Sequence, residues 1–203
     1  MIKPDYAAAE KYVFGRLERE LSPDLFFHGL PHTRDDVLPA IERYARLEGV
    51  SGEKLILLKT GGLCHDMGFL EQYQNNEPIG VEIARKSLPN FGYSPQDIEV
   101  ISGIIMATEI MATGILQNPK TKLEEIMCDA DLDNLGREDF YIKTELLRLE
   151  LAKHGIQKTP KEWYEGLIVF LERHHYFTQS ARELRQEGKK RHIREIKELL
   201  GYK

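Results

Sequence analysis

Four residues that can bind a metal ion occur along the chain in a fixed order. His32 comes first, the adjacent pair His65 and Asp66 follows, and Asp131 lies within the acidic segment 128–133. Imidazole nitrogens combined with carboxylate oxygens suit one divalent cation, and four protein ligands leave positions for water on a six-coordinate ion. Since a bound cation lowers the pKa of its water, this pattern predicts a hydrolytic metal centre.

The elements that must position these residues are predicted to be helices. Apolar residues recur at helical spacing almost throughout, and the period-two alternation of strands is nearly absent, so the sequence predicts an all-α fold. A hydroxyl residue followed by proline is typical of a helix start and occurs at Ser22-Pro23, Ser94-Pro95 and Thr159-Pro160. The predicted helices cover residues 5–21, 32–48, 52–65, 77–88, 95–109, 122–135, 138–153, 160–186 and 189–200.

This assignment places the four candidate ligands on three separate helical segments. His65 and Asp66 fall at the end of the third helix, His32 at the start of the second, and Asp131 inside the sixth. Pro39 predicts a kink or a late start in the second helix, because proline lacks the backbone N–H that a helix interior requires. A shared ion would therefore join helices that are distant in sequence.

Composition limits the classes of partner. The chain has 203 residues, 41% of them hydrophobic and 30% charged, which is typical of one globular domain over 1–203. The net charge of −5 argues against nucleic acid as a partner. No segment is apolar enough for a membrane span or a signal peptide, so we expect a cytoplasmic protein with no membrane partner. In that compartment Cys64 and Cys128 are expected to be reduced thiols. The sequence leaves open whether the protein forms a homo-oligomer.

Three segments together resemble the HD-domain superfamily of metal-dependent phosphohydrolases. That family is defined by a His, a His-Asp pair and a distant Asp on consecutive helices, and the matching segments here are 27–37, 63–68 and 130–135. The resemblance implies an HD-type bundle of about eight to ten helices, with an HD core of about 25–136 and a C-terminal helical extension of about 137–203. It assigns the metal-ligand role to the four residues already named.

The resemblance also implies a reaction class. HD proteins hydrolyse phosphoesters or phosphoanhydrides of small phosphorylated metabolites, often nucleotides, with one or more divalent ions; Fe, Mn, Co, Ni, Zn and Mg are not distinguished by the ligand types. No histidine occurs between His65 and His154, so the sequence predicts one ion. Asp66 would both bind the ion and orient the attacking water. Glu77 and Glu109 are candidates for proton transfer, with helix capping or solvation as the alternative for each.

Further residues are candidates for substrate binding. His28 lies four residues before His32 and can share its helical face, although an exposed loop histidine is an equal alternative. Arg34 can bind two phosphate oxygens, with a surface ion pair to Asp35 as the default. Thr108, before Glu109, resembles the Thr of a Thr-Asp pair in cyclic-nucleotide phosphodiesterases.

A row of aromatic residues near the C-terminus allows two interpretations. Trp163, Tyr164 and the segment 174–177 are predicted to lie on one long helix. Packing of the C-terminal helices onto the core is the ordinary role of such a row. Stacking of a nucleobase on Trp163 or Tyr164 is the alternative.

Two departures from the family pattern motivate a second functional hypothesis. Phe69 occupies the position where single-metal nucleotidases of the family tend to carry Glu, and Asn76 stands where many relatives have His. The alternative to an enzyme is therefore a non-catalytic nucleotide-binding or scaffolding HD domain with a structural metal.

Overall fold

The computed structural model describes residues 3–110 and 117–202, and over these residues the protein is all-α, as predicted. Helices and short helical turns account for its regular structure, and these residues contain no strand. The described part of the chain forms nine α-helices, which are α1 (Tyr6–Glu20), α2 (Leu38–Leu47), α3 (Gly52–Cys64), α4 (Asn76–Ser87), α5 (Pro95–Met106), α6 (Lys122–Asp131), α7 (Phe140–Lys153), α8 (Pro160–Arg173) and α9 (Gln179–Leu199). None of them combines the length and apolar character needed to cross a bilayer.

Two of the three predicted serine or threonine caps begin helices. Ser94 and Thr159 each form a capping box at the start of α5 and α8, in which the hydroxyl accepts the N–H three residues on. The Ser22-Pro23 pattern does not begin a helix. There the Ser22 hydroxyl accepts the N–H of Asp24 at 3.2 Å within a turn.

Pro39 is accommodated by a wider helical turn. Residues His32–Val37 form a π-helix that leads into α2, and the N–H of Leu38 donates to the carbonyl of Thr33, five residues back. The wider turn suits a proline, which has no N–H to donate and crowds the carbonyl four residues before it. Single π-turns occur often at functional sites, and His32 lies at the beginning of this one.

α3 lies at the centre of the bundle because two glycines near its end let other helices approach. A Cβ at Gly61 would collide with Ile104 of α5, and one at Gly62 would collide with Ile41 of α2. These close contacts bury the end of α3, so the residues that follow it, His65 and Asp66, are buried as well.

The apolar side chains form two adjacent clusters. The first is built from α1 to α6 and also takes in Tyr176 and Ala181 from the C-terminal part. The second lies between the end of α6 and the last three helices and consists of Leu132, Leu135, Phe140, Trp163, Leu167, Ile168, Leu171 and Ile196. Buried Asp36 joins the two regions through ion pairs with Arg137 at 2.8 Å and Lys143 at 2.5 Å.

The predicted helices 160–186 and 189–200 are wrong. The chain leaves α8 at His174, which has an extended backbone, and α9 begins at Gln179 after the cap residue Thr178. The carboxylate of buried Asp129 accepts the N–H groups of Phe177 and Thr178 at 2.8 Å each, which fixes the turn. A tertiary contact therefore places the break, and local sequence does not show it.

Gly188 falls in the gap between the predicted helices 160–186 and 189–200. Gly188 lies inside α9, where a Cβ would collide with the backbone carbonyl of Gly136. Its function is close packing of α9 on the 3₁₀ turn Asp133–Gly136, so the helix continues through it.

Candidate metal centre

The ends of three helical segments bring the predicted ligands together. His32 begins the π-turn, His65 and Asp66 follow α3, and Asp131 is the last residue of α6. His32, His65 and Asp66 are buried, and each offers a ligand atom within 4.8 Å of the other two. This group could therefore hold a metal ion.

Unpaired buried atoms in this group support a metal as its natural occupant. The Nδ1 of His65 lies 2.8 Å from the carbonyl of Gly62, which accepts its proton, so Nε2 is the ring atom that can bind a cation. That Nε2 and Asp66 Oδ2 are buried 3.1 Å apart, and neither has a partner of hydrogen-bond geometry among the described residues. Because leaving such atoms unpaired costs about 1–3 kcal/mol each, a cation bound by both fits the donor set.

The side chain of Asp131 lies next to this group. Its Oδ1 lies 3.2 Å from His32 Nε2 and 3.6 Å from His65 Nε2, and its Oδ2 accepts a hydrogen bond from Gln117 Nε2 at 3.0 Å. The Gln117 amide therefore orients this carboxylate, in the way that outer hydrogen bonds orient metal ligands.

The electrostatics of the group favour ionised carboxylates. Burial raises the pKa of Asp66 and Asp131, but electrostatic attraction to His65 and His32 outweighs burial and holds each pKa below its usual range. Burial lowers the pKa of His65, but the charges of Asp66 and Asp131 outweigh it and raise that pKa well above its ordinary value. A cation that binds here displaces the proton shared by these groups.

A cavity of about 500 Å³ opens beside the candidate ligands. His65, Asp66 and Asp131 lie in its wall at one end. Much of the remaining wall is apolar and comes from the segment before the π-turn, the loop after α3, residue 110, the turn after α6, and helices α7 and α8. These side chains are Phe27, Phe69, Tyr73, Ile110, Leu132, Leu135, Leu147, Leu151, Trp163, Leu167 and Phe170. A cavity with convergent polar groups at one end and apolar walls elsewhere is typical of a small-molecule site.

His28 is held in the cavity wall by Glu150 of α7. The fully buried Glu150 accepts the backbone N–H groups of Phe27 and His28 at 2.8 and 3.0 Å, and its Oε1 lies 2.5 Å from His28 Nδ1. The Tyr73 hydroxyl donates to the same carboxylate at 3.1 Å. Burial lowers the pKa of His28, but the hydrogen bond to Glu150 and the charges of Asp66, Glu150 and Asp131 raise it overall.

Other predicted residues also reach the cavity. Glu77 and buried Thr108 lie in its wall, and Thr108 donates its hydroxyl proton to the Ile105 carbonyl at 2.8 Å. Burial raises the pKa of Glu77, and the charges of Glu109 and Asp66 raise it further. A raised pKa makes this carboxylate easier to protonate than a solvated one.

Two predicted residues are not brought to the cavity. Arg34 is exposed and pairs with Asp35, with Nε 2.9 Å from Oδ1, so the surface ion pair is what forms. Glu109 is half-buried and lies outside the cavity wall, although its charge acts on Glu77.

The two positions that depart from the family pattern lie in the cavity wall. The ring of Phe69 packs on the ring of His28 with centroids 4.5 Å apart. Asn76 is buried, and none of the residues that the structure describes forms a hydrogen bond with its Oδ1. An aromatic ring and an amide therefore occupy the places where the pattern has a carboxylate and an imidazole.

Sequence reasoning did not identify Glu150 or Gln117. Glu150 lies three residues after Leu147, at the spacing that places two residues on one helical face, and a carboxylate beside apolar residues on such a face is a signal of function. Gln117 precedes α6 in an irregular segment, where no periodicity indicates its role.

A comparison of the chain with protein-family models, with curated proteins and with solved structures finds no match.

Proposed function

We propose that this protein is a metal-dependent phosphohydrolase of the HD type that cleaves a phosphoester or phosphoanhydride of a small metabolite, with nucleotides as the first candidates. The observation that carries the proposal is the pair of unpartnered buried atoms, His65 Nε2 and Asp66 Oδ2, at the end of a ligand-sized cavity. The motif resemblance of segments 27–37, 63–68 and 130–135 supplies the reaction class.

The ligand set proposed for one divalent ion is His32, His65, Asp66 and Asp131. A divalent ion held by them would polarise a phosphoryl oxygen and lower the pKa of a bound water. Asp66 supports the proposal because its unpaired oxygen lies beside the cavity, where it can orient that water. The hydrogen bond from Gln117 to Asp131 holds the Asp131 carboxylate in place.

His28 is proposed as the proton donor to the leaving group. Its ring lies in the cavity wall near Asp66, and the Glu150 carboxylate on Nδ1 favours the protonated ring. Such a His can give up its Nε2 proton to the departing oxygen, while Glu150 stabilises the remaining charge. Glu77, with its raised pKa, is the second candidate in the same wall.

The test is phosphate release with reconstituted metal. The purified protein, treated with chelator and then given Mn²⁺, Fe²⁺, Co²⁺, Ni²⁺, Zn²⁺ or Mg²⁺, is expected to release phosphate from at least one phosphorylated metabolite in a nucleotide-rich panel. His65→Ala and Asp66→Ala are expected to lose at least about 100-fold in activity, since they remove the metal or its orientation.

Matched controls separate this outcome from general damage. His175→Ala and Asp35→Ala change exposed residues of the same types outside the cavity wall and are expected to keep wild-type activity. Absence of phosphate release with every metal and substrate would overturn the proposal.

A non-catalytic nucleotide-binding domain with a structural metal is the second candidate. Phe69 and Asn76 favour it, because they put an aromatic ring and an amide where the family pattern has groups that ionise or bind metal. In this case nucleotides would raise the unfolding temperature and be recovered intact after incubation.

A further inference from the structure

The wall of the cavity away from the candidate ligands contains buried polar atoms that the apolar lining does not explain. Asn134 Oδ1, Thr144 Oγ1 and Trp163 Nε1 have no hydrogen-bond partner within residues 3–110 and 117–202, and all three residues are at least nine-tenths buried. Each of these residues lies in the cavity wall. Since a buried polar atom without a partner costs about 1–3 kcal/mol, three of them around one cavity indicate a ligand that supplies the missing hydrogen bonds.

A helical glycine provides a second, independent observation. Gly166 lies in the middle of α8, where glycine is less favourable than alanine by about 1 kcal/mol. A Cβ at this position would meet only Lys158 Nζ, at 3.6 Å, so packing does not require glycine. Gly166 does line the cavity, and a larger residue would fill space beside Lys158 and Trp163.

The shape and polarity of these groups point to a flat ring. Much of the surrounding wall is apolar or aromatic, from Leu147, Leu151, Leu167 and Phe170, which suits the faces of a planar group. An alkyl chain would satisfy these side chains and leave the three polar atoms unpaired. A heteroaromatic ring offers apolar faces and edges that both donate and accept hydrogen bonds.

We propose that α7, α8 and the turn after α6 form a ring-binding subsite for a nucleobase-type heterocycle, with Asn134, Thr144 and Trp163 bonding to its edges and Gly166 leaving the space it occupies. This inference rests on the proposed function, because the ring belongs to the substrate whose phosphate lies at the metal ligands. Thr144, Trp163 and Gly166 lie outside the segments that carry the motif resemblance.

The charge of the cavity limits the number of phosphate groups. Lys158 is the sole lysine or arginine in the wall, counting the described residues, and it lies over Trp163, with Nζ 5.8 Å from the ring centroid. Asp66, Asp131 and Glu77 add negative charge at the other end. One divalent ion offsets two of these three carboxylates, and His28 is paired with Glu150. Little positive charge remains for a triphosphate, so the subsite is assigned to a substrate with a single phosphate group.

The experiment compares ligands that differ in the group attached to phosphate. Thermal unfolding of the Mn²⁺-loaded protein is measured with AMP, GMP, CMP and UMP, with hexyl phosphate, with inorganic phosphate and with ATP. We expect at least one nucleoside monophosphate to raise the unfolding temperature more than hexyl phosphate, inorganic phosphate or ATP does.

Variants then locate the ring. Gly166→Leu is expected to remove the advantage of the nucleotide over inorganic phosphate, whereas Val169→Leu, at an exposed position of α8 outside the cavity wall, keeps it. Thr144→Val, which removes one hydroxyl and preserves the shape, is expected to weaken nucleotide binding by about tenfold and serves if Gly166→Leu fails to fold.

Phosphate release from the same ligands separates the two proposals. Nucleotides that stabilise the protein through Gly166 or Thr144 but release no phosphate would support the ring-binding subsite. They would also overturn the proposed hydrolase activity. If hexyl phosphate releases phosphate as readily as every nucleotide does, or protects the protein from unfolding as well as every nucleotide does, the ring-binding subsite is overturned. A phosphate-binding site alone then remains. The subsite is also overturned if nucleotides raise the unfolding temperature of Gly166→Leu and of Thr144→Val as much as they raise that of the wild type.

Discussion

At the scale of single residues, the site depends on groups that orient other groups. Gly62 fixes the tautomer of His65, Gln117 holds Asp131, and Glu150 holds His28. The sequence indicates His65 and Asp131 by type and order. Their orienting partners are a backbone carbonyl, an amide and a carboxylate from distant positions, so spacing does not identify them.

Glu150→Gln tests the role of the His28–Glu150 pair. The substitution preserves the size of the side chain and removes the charge that raises the pKa of His28, so that pKa falls. A proton donor must be protonated to act, and activity is lost as pH rises through its pKa. The alkaline limb of the kcat profile is therefore expected to move to lower pH, measured as phosphate release across pH.

Glu145→Gln is the matched control on the same helix. Glu145 is half-buried, lies outside the cavity wall and pairs with Arg148, so its loss is expected to leave the pH profile in place. If the alkaline limb of the kcat profile lies at the same pH in Glu150→Gln and in the wild type, His28 is not the group whose deprotonation produces this limb.

At the scale of elements, close approaches at glycine decide how the helices pack. Gly61 and Gly62 let α5 and α2 contact α3, and Gly136 and Gly188 let α9 lie on the turn after α6. Helix propensity alone treats each glycine in a helix as a weak point. Tertiary contact makes some of them necessary, which the sequence pattern does not distinguish.

Gly188→Ala and Gly166→Ala test this distinction within the C-terminal helices. Both glycines lie inside a helix, so propensity alone predicts a gain of about 1 kcal/mol in the free energy of unfolding for each substitution. At Gly188 the new methyl would collide with the Gly136 carbonyl, whereas at Gly166 it has space. We expect Gly188→Ala to lose about 1–3 kcal/mol and Gly166→Ala to gain.

Chemical denaturation of the two variants measures the difference. If both substitutions raise the denaturant concentration at the unfolding midpoint equally, α9 does not contact the turn Asp133–Gly136 as closely as the structure describes.

At the scale of the whole molecule, the candidate ligands join segments that are distant in the chain. His32 precedes α2, His65 and Asp66 follow α3, and Asp131 ends α6. An ion that binds the folded protein and not the unfolded chain stabilises the fold by mass action. In its absence, two carboxylates and two imidazoles stay buried together.

Metal removal is therefore expected to destabilise the entire bundle. At free metal about 100 times the dissociation constant, binding adds roughly 3 kcal/mol to the free energy of unfolding. The unfolding temperature of the wild type is expected to fall when a chelator is added and to recover with Mn²⁺. His65→Ala should show no such response, and His175→Ala should respond as the wild type does.

An unfolding temperature that is the same with chelator and with every metal tested would contradict metal binding by these residues.

The sequence by itself determined the all-α fold, most helix positions and the candidate ligands. Helical periodicity and N-terminal caps are local signals, and the order of His and Asp residues is visible without any coordinates. These features depend on neighbours within a few positions, or on residue type alone, so they can be predicted.

Only the tertiary structure decided the break between α8 and α9, the Glu150 contact with His28, and the separation of Arg34 from the cavity. Each follows from side chains far apart in sequence: Asp129 binds the N–H groups of the α8–α9 turn across 48 and 49 residues, and Glu150 bonds to the His28 ring across 122. Such contacts depend on how helices pack, and packing depends on the whole set of buried surfaces at once, which local sequence does not specify.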